Sequence, residues 1–122
     1  PNTPNPVTSA PVEPSWLDIT DAVTVNKTIG VFNSVLNKIS SVLTVTNTST
    51  AEYSGVIRIE LVSSNLTLSM DSDGQLENGN NYWDFTLDSG AFLVGDELSK
   101  QLNFARSRVR LNYEIKVYAK PN

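Results

Sequence analysis

The clearest fold signal in this chain is the stretch Val56-Ile-Arg-Ile-Glu-Leu-Val62. Ile57, Ile59 and Leu61 alternate with Arg58 and Glu60, so an extended strand would place the apolar side chains on one face and the charged ones on the other. Half-polar alternation of this kind favours antiparallel pairing, in which one face of the sheet is buried and the other meets solvent.

Similar short segments lie on both sides of this stretch. The segment 39–47 is rich in β-branched residues, and Ile39, Leu43 and Val45 are available for one face. Turn-forming residues recur at roughly the 8–12-residue spacing of an all-β sandwich, which predicts about seven to eight strands. The predicted strands span 16–19, 23–29, 39–47, 56–62, 66–70, 82–87, 97–105 and 109–117, with a short piece at 91–93.

Proline is concentrated at the start of the chain. Five of the six prolines lie in the first fifteen residues, where Ser, Thr and Asn are also frequent. Proline restricts its own φ and favours extended conformations in the residue before it, which is typical of a semi-stiff spacer. We therefore expect residues 1–15 to be a linker and residues 16–122 to be one folded domain; the alternative is a chain end without a spacing role.

Composition excludes several classes of function. The net charge of −4 argues against nucleic-acid binding, for which a basic face is expected. The chain contains neither cysteine nor histidine, which removes thiolate nucleophiles, cysteine metal sites and the usual general base. No apolar run approaches the ~20 residues of a membrane-spanning helix, so we expect no membrane insertion.

The pattern of strands and turns across about residues 16–120 resembles bacterial immunoglobulin-like, fibronectin-III-like modules. The resemblance lies in Asn47-Thr-Ser49 after a β-branched strand, Gly55 at the start of the next strand, Asp73-Gly74 before Tyr82-Trp83, and Gly95-Asp96-Glu97 before the penultimate strand. It implies an Ig-like antiparallel β-sandwich of Greek-key type in a secreted or cell-surface bacterial protein. It also implies a non-catalytic accessory role as spacer, domain-docking or adhesion unit, with neighbouring domains, glycans or a surface protein as partners. The cysteine pair of antibody domains is missing.

A candidate calcium site lies in Asp71-Ser-Asp73-Gly74-Gln-Leu-Glu77-Asn78. Carboxylates two positions apart on a turning loop can converge on a hard cation, and Glu77 can add further oxygens. The simpler interpretation, which we favour, is a solvated loop that uses Asp and Gly as turn formers.

Aromatic residues suggest a second type of site. Tyr82 and Trp83 are adjacent, so a strand would point them to opposite faces, and Trp16 lies at the edge of the predicted domain. Exposed rings on a sandwich can stack on sugars, which makes Trp16, Tyr82 and Trp83 candidate glycan contacts and a carbohydrate-binding module, possibly calcium-assisted, the alternative function. The competing interpretation is that the Trp side chains fill the core.

The remaining charged residues point to no reaction. Most carboxylates lie in turn segments, and no set of nucleophile, base and orienting group can be assembled, so we assign no catalytic and no cofactor-binding residue. Arg106, Arg108 and Arg110 would line one face if their segment were extended. Three guanidinium groups in a row can bind carboxylates or sulfated glycans. In an acidic chain, a charged and solvated strand face is the simpler interpretation.

Overall fold

The computed structural model describes residues 15–121, and these form an all-β structure with two antiparallel sheets. All pairings between strands are antiparallel, as the alternation predicted. A short 3-10 turn, Thr20–Ala22, is the one helical element in the described residues. The strands are β1 (Leu17–Asp18), β2 (Val23–Lys27), β3 (Val31–Asn33), β4 (Lys38–Asn47), β5 (Tyr53–Ser64), β6 (Gly74–Gln75), β7 (Asn81–Phe92), β8 (Glu97–Ala105) and β9 (Tyr113–Ala119).

The larger sheet has the order β1-β9-β5-β7-β6. In the smaller sheet, β4 pairs along most of its length with β8, and both β2 and β3 also pair with β4. Because β8 occupies one edge of β4, β2 and β3 follow each other along the opposite edge. With the two-residue strands β1 and β6 included, residues 15–121 contain nine strands, where the sequence predicted seven to eight.

One apolar core joins the two sheets. The smaller sheet contributes Leu43, Val45 and Phe104, and the larger sheet contributes Ile57 and Val117, all fully buried. The predicted inward positions of 39–47, 56–62 and 97–105 are thus confirmed, since each of these strands buries one alternating face. Two sheets that share one core are consistent with a β-sandwich.

Three local predictions were wrong. Residues 66–70 form no strand; Leu68 makes a single bridge to Phe104, although Leu66 and Met70 also pack against the core. The expected turn at 88–90 lies inside β7, where Gly90 has a φ of 78° and the pairing with β5 shifts register. The last strand begins at Tyr113, so Val109 is exposed in a loop.

Gly55 explains how β5 and β7 pass this irregularity. A Cβ atom at residue 55 would lie 2.6 Å from the carbonyl carbon of Gly90, so the two backbones can approach only because residue 55 has no side chain. The predicted linker falls, apart from Ser15, outside the described residues.

Candidate functional site

The outer face of the larger sheet carries a cluster of polar and aromatic side chains. Arg58 and Glu60 project from β5, away from the core, as the alternation predicted. In the register of the sheet, Arg58 lies opposite Asp84 on β7 and Tyr118 on β9, while Glu60 lies opposite Tyr82. Directly opposite residues of antiparallel strands share a face, so pairing brings these side chains together.

Arg58 lies between two aromatic rings. Its guanidinium carbon is 4.2 Å from the centre of the Trp16 ring and 3.9 Å from the centre of the Tyr82 ring. Both distances are within the range of a cation–π interaction. We call Trp16, Arg58 and Tyr82 the aromatic–arginine stack.

Asp84 holds the guanidinium in place within the stack. Nε and Nη2 of Arg58 donate to the two carboxylate oxygens of Asp84 over 2.8 and 3.0 Å. This two-point geometry is specific to arginine, because lysine has no planar fork of donors. Asp73 adds a further link, since its Oδ2 accepts the backbone N–H of Asp84 over 2.7 Å.

Glu60 is the buried centre of the cluster. Its side chain lies on the outer face, yet the residue is only 4% exposed. Oε2 accepts hydrogen bonds from the side-chain amides of Asn78 and Asn80 over 3.0 and 2.7 Å, and Oε1 accepts one from the Tyr118 hydroxyl over 2.9 Å. Three hydrogen bonds compensate a buried carboxylate for the loss of water, and the loop 76–80 supplies two of the three donors.

These contacts shift two pKa values in opposite directions. Burial alone would raise the pKa of Glu60, but the hydrogen bonds from Asn80, Asn78 and Tyr118, with a contribution from Lys116, leave it below the ordinary value. Burial, together with the hydrogen bond to Glu60 and the negative charges of Glu60 and Asp18, raises the pKa of Tyr118 to about 12. Glu60 is therefore held as the anion and Tyr118 as the neutral phenol.

A shallow cleft of about 270 Å³ opens beside the stack, lined by Trp16, Arg58, Glu60, Leu76, Asn78 and Tyr118. The faces of the rings in this cleft can stack on a flat ligand. A second concavity of about 390 Å³ lies along 61–68 and 79–81, and its lining contains no ionisable side chain. Of these two concavities, only the first combines aromatic and charged side chains.

The predicted aromatic residues have separate roles. Trp16 and Tyr82, both half-buried, belong to the stack. Trp83 is 3% exposed and its indole N–H donates to the carbonyl of Asp71 over 3.0 Å. The prediction of Trp83 as a glycan contact is therefore wrong, because Trp83 fills the core and its ring faces are not accessible to a sugar.

The predicted calcium ligands do not come together. In residues 15–121, no group of three or more acidic side chains is arranged to hold a metal ion. Asp73 instead accepts the Asp84 N–H, and Trp83 is bonded to the carbonyl of Asp71. The arrangement of Asp71, Asp73 and Glu77 thus fits a loop that supports β7, and not a calcium cage.

Sequence reasoning missed four members of the cluster: Arg58, Glu60, Asp84 and Tyr118. The alternation of 56–62 placed Arg58 and Glu60 away from the core, but it did not reveal their partners, which lie 18 or more residues away along the chain. Arginine and glutamate on the outer face of a strand are typically exposed to solvent. Only the register of the sheet shows that Arg58 and Glu60 instead lie beside specific partners.

No helix in the described part of the chain is long and apolar enough to span a membrane. Comparison with known proteins finds no matching family model, no matching curated protein and no matching solved structure.

Proposed function

We propose that this chain is a non-catalytic, Ig-like accessory module of a larger extracellular bacterial protein, and that it acts as a spacer, domain-docking or adhesion unit. The carrying observation is that the charged side chains of the cluster already have partners within the protein. Glu60 accepts three hydrogen bonds and Arg58 is bound by Asp84 between two rings. Groups in such contacts stabilise structure and are not poised for proton transfer.

The order of the strands supports the Ig-like, Greek-key assignment. The neighbours β4–β8 in one sheet and β5–β9 in the other correspond to the B–E and C–F neighbours of Ig-type sandwiches. The chain also changes sheets after β1, β4, β7 and β8. In this arrangement β1 takes the edge beside β9.

The stack gives the module a defined point of entry. Trp16 immediately precedes β1, which pairs with β9. The Trp16 ring contacts Arg58 of β5, the strand on the other side of β9 in the sheet. Backbone pairing and a ring contact together fix the chain direction at residue 16. A fixed entry point is what a spacer needs if it is to orient one neighbouring domain relative to another.

The alternative function is glycan binding in the cleft beside the stack. It is favoured by the half-exposed ring of Trp16 and by the polar side chains that line the cleft with it. Sugars are bound by this combination of a flat apolar face and nearby hydrogen-bonding groups.

An NMR titration distinguishes the two functions. Spectra of ¹⁵N-labelled protein are recorded with a panel of soluble oligosaccharides, and the indole N–H signals of Trp16 and Trp83 are followed separately. The structural role predicts that neither signal moves. Saturable shifts of the Trp16 indole and the Asn78 amide, with the buried Trp83 signal unchanged as internal control, would replace the structural role by glycan binding.

A further inference from the structure

An exposed apolar hairpin lies at one end of the molecule. Of the eleven large apolar side chains that are exposed in residues 15–121, five lie between positions 29 and 36. We call this segment, residues 29–36, the apolar hairpin, and its exposed members are Ile29, Val31, Phe32, Val35 and Leu36. Exposed apolar groups this concentrated mark an interaction surface, because single ones are normally scattered.

The tip of the hairpin is held in one conformation. Oδ1 of Asn33 accepts the backbone N–H groups of Val35 and Leu36, each over 3.1 Å, and Asn37 closes the turn with a φ of 57° and a bond to the Asn33 carbonyl. Val35 is thereby presented at the tip with 91% of its surface exposed. An exposed apolar tip that is already ordered by its turn is suited to binding, since little conformational entropy is lost when it is buried.

A basic loop lies beside the hairpin. The guanidinium of Arg106 lies 4.9 Å from the centre of the Phe32 ring and donates to Oδ1 of Asn37 over 3.2 Å. Ile29 and Arg110 line the same shallow depression, and Arg108 is exposed between them along the loop. Arg106 and Arg110 therefore border the apolar hairpin, and Arg108 lies between these two arginines in the same loop. The expectation that they share one strand face does not hold, since residues 106–112 form a loop.

Charge is separated along the molecule. In the half of the smaller sheet that carries the hairpin, residues 26–43 and 100–113 contain no Asp or Glu, although the whole chain has a net charge of −4. Glu114, the next residue along the chain, is paired with Lys27. At the other end of β4, the Asn47 N–H bonds to the carbonyl of Asp96, next to Glu97. One end is therefore basic and apolar while the other is acidic, so a negatively charged plane would orient the molecule with the hairpin towards it.

We propose that the apolar hairpin and the arginines at 106, 108 and 110 form a docking site for an anionic lipid surface. Val35, Leu36 and Phe32 enter the headgroup region while the guanidinium groups contact lipid phosphates. A polyanion such as a sulfated glycan would use the arginines but would gain nothing from the apolar tip. The expectation of no membrane insertion concerned a spanning segment, and docking at the surface needs none.

Vesicle co-sedimentation tests this docking site. The full chain is mixed with vesicles of neutral phosphatidylcholine, or of the same lipid with ~30% phosphatidylglycerol, at ~0.05 M salt. We expect binding to the anionic vesicles only. The triple variant R106Q/R108Q/R110Q should bind the anionic vesicles about 100-fold more weakly. Raising the salt to ~0.5 M should also weaken binding of the parent protein, because salt screens the charges.

A second pair of variants separates lipid from other anionic partners. V35S/L36S should weaken vesicle binding about 10-fold or more. Val94→Ser, which replaces another exposed valine beside the acidic end, should leave vesicle binding unchanged. R108Q/R110Q, which keeps the Arg106–Phe32 contact, provides the charge test if the triple variant unfolds. The proposal is overturned if the protein binds neutral vesicles as strongly as anionic ones, or if it binds neither. It is also overturned if the protein binds both soluble heparin and anionic vesicles and V35S/L36S weakens neither interaction.

Discussion

Replacing Trp83 with alanine should lower the free energy of unfolding by about 3–5 kcal/mol, the range found when a large aromatic side chain is removed from a core. Trp83 is 3% exposed and belongs to the cluster that joins the two sheets. Its removal also leaves the Asp71 carbonyl without the indole N–H. Urea unfolding followed by circular dichroism measures the loss.

Trp83→Phe is the matched variant, because it keeps most of the apolar volume and removes only the indole N–H. We expect it to cost about 1–2 kcal/mol, less than the alanine variant. If Trp83→Ala unfolds at the urea concentration of the parent protein, the ring is not in the core, and its role as a surface contact for glycans would have to be reopened.

Glu60→Gln should lower the free energy of unfolding by about 1.5–3 kcal/mol at neutral pH, the range for a hydrogen-bonded charged group. The carboxylate accepts from three donors, and an amide in its place would turn an N–H₂ group towards at least one of them. Glu114→Gln is the control, since it makes the same chemical change at an exposed side chain that pairs with Lys27. It should alter stability by less than ~0.5 kcal/mol.

The same variant should change how stability depends on pH. The pKa of Glu60 is lowered in the folded state, so its contribution is present above the ordinary glutamate pKa and is lost as pH falls through the lowered value. The pKa of Tyr118 is raised to about 12, so its contribution is present below the ordinary tyrosine pKa and is lost as pH rises towards that value.

Glu60→Gln should weaken both of these dependences, and ultraviolet titration should show Tyr118 ionising at a lower pH than in the parent. A Tyr118 titration unchanged by the substitution would contradict the hydrogen bond between the two side chains. The Glu114→Gln protein provides the reference curve.

The core was largely predictable from the sequence because it depends on local alternation. Ile57, Ile59 and Leu61 face inward as their spacing required, and Leu43 and Val45 do the same in β4. The same signal failed at 66–70, where apolar residues alternate but only Leu68 reaches a strand partner. Alternation identifies which side chains need burial, and it does not decide whether the backbone joins a sheet.

The candidate site was not predictable in the same way. Trp16 and Tyr82 were selected as exposed rings, but the reason they lie together is Arg58, which the pairing of β5 with β7 and β9 places between them. Contacts of this kind depend on register, which local sequence specifies weakly. The spacing of the carboxylates at 71, 73 and 77 resembled a calcium-binding loop. In the structure, Asp73 instead accepts a hydrogen bond from the backbone N–H of Asp84.

The anchoring of residue 16 by the aromatic–arginine stack is tested most directly by a double-mutant cycle. Trp16→Ala, Arg58→Ala and the double variant are compared with the parent by urea unfolding, so that contacts of Arg58 other than that with Trp16 cancel. A partly buried cation–π contact predicts a coupling free energy of about 0.5–2 kcal/mol. A coupling of zero would contradict the anchoring role, because Trp16 would then contribute the same stability whether or not Arg58 is present.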